Sequence, residues 1–212
     1  MKKNKLFALV LACVMVLSMA TPAFAEELNI TGSTQAPTIN VTVPSTGTVI
    51  INPYEMEVTQ GDAEVTDKII SATQYIVNES DVAIGITVAI TGTASGNAVL
   101  ATAALKGTET TNSVFMYLEI AKATADDGTG DPTWAESYTK AAGQIIVTSK
   151  ETTTKDVLVL GAGDETATYA AFRLAGDVAS KPATAWTTTD KVDVKIVFTF
   201  NPVAASNVPS EG

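Results

Sequence analysis

The chain has no histidine and only one cysteine, Cys13. Without histidine there is no Ser-His-Asp or Cys-His nucleophile system, no imidazole ligand for zinc, and no ordinary switch of charge near neutrality. Without a second cysteine there is no disulfide framework. Phosphate cradles are missing too: Gly161-Ala162-Gly163 lacks the later glycine and following helix that a dinucleotide site requires. Basic residues are also few, 13 against 23 acidic ones. Such a surface repels phosphate backbones and anionic lipid, so nucleic acid is excluded as a partner. Carboxylate pairs capable of glycoside hydrolysis remain, but no spacing singles one out. The chain is therefore expected not to be an enzyme.

What is present begins with a leader. Lys2, Lys3 and Lys5 precede an apolar run from Leu6 to about Met19, and Ala23-Phe24-Ala25 follows, then Glu26-Glu27. Basic head, apolar middle and small-x-small end make a cleavable signal peptide over 1–25, and the run is short for a membrane span. An uncleaved anchor and lipidation at Cys13 are the alternatives. The second puts a bulky Leu11 where a small residue is usual and truncates the apolar run. Cleavage after Ala25 leaves 187 residues with no cysteine, no transmembrane segment and a net charge of −13. Secretion to the cell exterior or cell surface is the expected localisation. A chain of that length can bury about 70% of its unfolded surface in one core, which makes disulfides dispensable.

Threonine is abundant, with 31 in the part after Ala25, and β-branched residues suit a half-exposed pleated surface. In Val82 to Thr91, Ile84, Ile86, Val88 and Ile90 alternate with Gly, Ala and Thr. Val192, Val194, Ile196, Phe198 and Phe200 alternate likewise, and so do Ile39, Val41 and Val43. Period-two alternation marks strands with one face in a core. Further strands are expected over Thr48 to Ile51, Glu55 to Thr59, Gln74 to Asn78, Val114 to Ala121, Gln144 to Thr148, Asp156 to Leu160 and Tyr169 to Leu174. About ten short antiparallel strands predict an all-β, immunoglobulin-like Greek-key β-sandwich with at most one or two short helices. The expected layout is one domain over 26–200 and a loose tail over 201–212. Thr133 to Ala142 and Ala98 to Lys106 are each open between helix and strand. The first has Asp131-Pro132 ahead of it and Gly143 behind; the second ends at Gly107.

Three sets of residues invite a functional reading. Asp126, Asp127 and Asp131 on a Gly-rich loop offer hard oxygen ligands to calcium, although the acid spacing of an EF-hand is missing. An ordinary polar hairpin turn accounts for the same residues. Trp186, in the polar stretch Thr184-Ala185-Trp186-Thr187, could present an apolar platform to a ligand; core or edge-covering packing is the alternative. Ile39, Val41 and Val43 belong to the stretch from Leu28 to Val43, the candidate strand for exchange between subunits. The same stretch can instead pair within its own sandwich.

The signal peptide ending Ala23-Phe24-Ala25, the Cys-free Thr-rich chain and the segment Ile76-Val77-Asn78-Glu79-Ser80-Asp81-Val82-Ala83-Ile84-Gly85-Ile86 carry a resemblance. In these the chain resembles the TasA/camelysin group, secreted proteins of Gram-positive bacteria that build cell-surface or biofilm filaments. The resemblance implies a β-sandwich structural protein that polymerises with copies of itself and meets cell-wall or matrix components. Proteases are also reported in that group, but this sequence has no HExxH motif. A glycan- or protein-binding adhesive module is the alternative expectation.

Overall fold

The structure, a computed structural model, describes residues 39–60, 63–124, 130–163 and 167–203. The expected signal peptide over 1–25, the stretch up to Thr38, Asp126, Asp127 and the tail beyond Val203 lie outside the described residues.

The fold is all-β, with no helix among the described residues. Its strands are β1 (Val41–Thr42), β2 (Val49–Ile51), β3 (Val58–Gln60), β4 (Ala63–Val65), β5 (Ile69–Ser71), β6 (Gln74–Asn78) and β7 (Ile84–Ser95). There follow β8 (Ala98–Leu100), β9 (Asn112–Lys122), β10 (Gln144–Ile146), β11 (Thr152–Leu160), β12 (Thr168–Val178) and β13 (Lys191–Pro202). The larger sheet runs β1-β6-β12-β9-β10, with β8 also beside β9; the other main sheet runs β11-β7-β13. All pairings are antiparallel except β8 with β9. The separate pair β2–β5 prolongs the β1–β6 edge: Ser71 Oγ accepts from the Leu174 amide at 3.3 Å, beyond the point where β12 leaves β6.

Alternation builds the core between the two sheets. Ile84, Ile86, Val88 and Ile90 of β7 are fully buried in one cluster with Val114, Met116 and Leu118 of β9. Each such side chain contributes roughly 1.5–3 kcal/mol when buried. Strand β9 is buried on its other face too. There Phe115 and Tyr117 pack with Tyr138, and Arg173 lies over the Trp134 ring at 5.0 Å. Arg173 also donates from Nε to Glu119 Oε2 at 3.0 Å. The segment 133–142, open in the sequence between helix and strand, is thus an irregular cover over this face, and Ala98–Leu100 is the short strand β8.

One excursion leaves the sheets. Strands β3 and β4 form a hairpin held at its root by Asn52. The Asn52 amide group donates to the carbonyls of Met56 at 2.8 Å and Asp67 at 3.2 Å, and its oxygen accepts from the Met56 amide at 3.0 Å. Where the chain turns from β7 into β8, Gly96 takes φ +68°, a backbone shape that glycine adopts without strain.

Candidate functional site

The last strand has an unusual setting. All twelve residues of β13 pair with β7, in unbroken register from Lys191↔Ser95 to Pro202↔Ile84. On its other side β13 pairs with no strand among the described residues. Its inward side chains tell the same story. On β7 the inward positions are fully buried, whereas on β13 Val194, Ile196, Phe198 and Phe200 are only half-buried. Among the described residues the sheet therefore extends past the strands that cover it.

The space beside β13 is a groove of about 1210 Å³. One wall is β13; the other is the segment from Val43 to Ile51, which includes β2. Phe172 and Leu174 of β12 line it between these walls, and Trp186 lines it as well. Ile50, Tyr54 and Val197, at 39%, 55% and 41% exposure, are among the exposed large apolar residues of the chain, and all three border this groove. Small-molecule pockets fall in a range of roughly 300–1,000 Å³, so the groove is larger than such a ligand needs.

The opposite edge of the same sheet is different. Strand β11 is interrupted by a register shift between Thr154 and Leu158, where Asp156 takes φ +48° and Lys155 and Asp156 are exposed. A bulge with charged side chains is a common guard against edge-to-edge pairing. Strand β13 has no such break.

Asp190 holds the end of the groove in shape. It accepts from the Asn97 amide at 2.6 Å, the Thr187 amide at 2.8 Å and the Asn112 side chain at 3.4 Å. The Asn97 and then the Thr187 amides hold its carboxyl below the usual range. The turn so fixed carries Trp186, whose indole N–H donates to the Ala179 carbonyl at 2.8 Å. The Trp186 ring packs against the core cluster while lining the groove.

The candidate residues from the sequence fall in three places. Ile39 is exposed, Val41 belongs to β1 and pairs with Asn78 of its own chain, and Val43 lines the groove. The groove thus unites Val43 and Trp186. Asp131 lies elsewhere, its carboxylate taken up by Thr73 Oγ1 at 3.1 Å and by a short hydrogen bond from the Tyr75 hydroxyl. That bond, above all, pushes the Tyr75 phenol up to about 12. Among the described residues no three acidic side chains cluster to hold a metal ion. The groove itself was not legible in the sequence, because alternation reveals a buried face and not the absence of a neighbouring strand. No family model, no curated protein and no solved structure matches the chain.

Proposed function

We propose that the chain is a secreted structural protein, a subunit of cell-surface or biofilm-type filaments that self-associates by β-strand addition. The observation that carries this reading is the unbroken edge of β13, unpaired among the described residues, beside a groove that Phe172, Leu174, Phe198 and Phe200 help to line. A strand laid along that edge gains main-chain hydrogen bonds over its length, while alternate side chains enter the groove. It also removes half-exposed Val194, Ile196, Phe198 and Phe200 from water. A long apolar edge left open is otherwise an aggregation hazard, and one that is used needs an occupant.

The composition supports the same reading. A histidine-free chain with a single leader cysteine lacks the groups that most catalytic sites recruit. The resemblance to filament-forming secreted proteins points the same way. Adhesion to a glycan is the second reading, and the Trp186 ring in the groove favours it. The test is sedimentation and negative-stain electron microscopy of the chain beginning at Glu26. Filaments or regular oligomers support strand addition; a monodisperse monomer that binds cell-wall glycan supports the second reading.

A further inference from the structure

We infer that residues 131–140, a strap across the outer face of the larger sheet, brace the groove wall on its inner face, so that releasing the strap loosens the wall. This concerns regulation of the groove and takes its purpose from the strand-addition reading above. The coupling itself belongs to a single chain.

The strap is held by side chains. Among the described residues no backbone–backbone hydrogen bond begins or ends within 131–140. Pro132, Trp134 and Tyr138 are covered, and the rest are exposed. Asp131 anchors the start, Trp134 lies over Arg173, and Tyr138 packs on Phe115 and Tyr117. Near the end, the Thr139 amide donates to Gln144 Oε1 at 2.9 Å. A segment fixed by so few contacts opens at a lower free energy than the sheet beneath it. The Trp134 indole N–H is buried without an acceptor among the described residues, and it gains one from water when the strap lifts.

Two of these anchors stand directly behind the groove, because successive residues of a strand face opposite sides of a sheet. On the outer side, Asp131 accepts from Thr73 Oγ1 at 3.1 Å and from the Tyr75 hydroxyl. Gln74, between them, lines the groove, and its Nε2 donates to the Thr46 carbonyl of the wall at 3.2 Å. The same nitrogen lies against Gly47, where an added Cβ would come 2.5 Å from it. Arg173 repeats the arrangement on β12. Its side chain is held outside by Trp134 at 5.0 Å and Glu119 at 3.0 Å, while Phe172 and Leu174 on either side of it line the groove. The strap thus grips the neighbours of the residues that shape the groove. The route to the wall runs from Asp131 through Thr73 and Tyr75 to Gln74 and Thr46.

The test is a double-mutant cycle read by hydrogen exchange with mass spectrometry. It uses the chain beginning at Glu26, at a concentration where it is monomeric, and follows peptides covering the wall over 43–52. Asp131→Ala is expected to speed exchange there roughly fivefold, the ratio that one hydrogen bond's net contribution carries. Gln74→Ala is expected to speed it as well, and the double variant to be no faster than Gln74→Ala alone. A wall that ignores either replacement, or effects of the two that simply multiply, overturns the brace. In an associating chain Asp131→Ala is further expected to speed assembly, since the wall bounds the approach to the β13 edge; an unchanged rate overturns the regulatory role. The two ideas fail separately. A wall that responds in a chain that never associates keeps the brace and sinks strand addition, and association with an indifferent wall does the reverse.

Discussion

The rings of Phe172 on β12 and Phe198 on β13 lie 5.0 Å apart, one from each main sheet, tilted 57° to one another. Phe172 is buried and Phe198 is half-exposed to the groove. This pair is where the core ends and the groove begins.

Replacement Phe198→Ala should therefore act twice. Loss of a half-buried ring costs roughly 2 kcal/mol, below the 3–5 kcal/mol of a fully buried one. It also removes the broadest apolar surface offered to an added strand. Urea melts should show a modest loss of stability, and light scattering should show a larger loss of assembly. Equal losses in the two would mean that Phe198 serves the core alone.

Much of the fold was legible because alternation is a local signal. Ile84 to Ile90 and Val192 to Phe200 declare a core face without reference to anything distant, and β7 and β13 stand where that pattern placed them. Strand β9 was legible by composition, yet its second buried face was not. Phe115 and Tyr117 are covered by Tyr138, a contact made across a loop whose own pattern fits helix and strand equally. The short strands β4 and β5 carry too few residues to show a period. The site was less legible than the fold. Val43 and Trp186 were singled out separately, and only the tertiary arrangement puts them on one groove.

The pair Arg173–Glu119 bears on stability. Glu119 is buried, its side chain only 4% exposed, and its other oxygen accepts from Gln144 at 2.9 Å. Arg173→Met leaves that carboxylate without its cation. Breaking a buried pair costs roughly 3–5 kcal/mol, and because the Arg173 side chain is 27% exposed the lower end applies. Chemical denaturation would show it as a fall in midpoint with unchanged slope.

Asp190 makes stability depend on acid. Its carboxyl is held low by the amides of Asn97 and Thr187, so the folded state favours the charged form. That contribution is fully present above the unfolded value of about 3.9 and is lost as pH falls through the lower folded value. Asp190→Asn should melt at a lower temperature than the parent near neutrality, and the difference should shrink as the pH falls below about 4. A difference that stays constant into acid would assign the effect to shape alone.

Tyr75 makes it depend on alkali, with the opposite sign. Its phenol is raised to about 12, chiefly by the hydrogen bond to Asp131. The stability it contributes is present below the ordinary value of about 10 and is lost as pH rises through the folded value. Ultraviolet titration of phenolate should therefore show a late-ionising tyrosine that Tyr75→Phe removes and Asp131→Asn moves back toward its ordinary range.

The central claim is that the edge of β13 is completed by a strand from another copy. Its most direct measurement compares the chain beginning at Glu26 with the chain beginning at Thr38, by sedimentation velocity and electron microscopy at matched concentration. The prediction is filaments or a ladder of oligomers for the first and a folded monomer for the second. Filaments from the shorter chain equal to those of the longer one, or monomers from both, would contradict it.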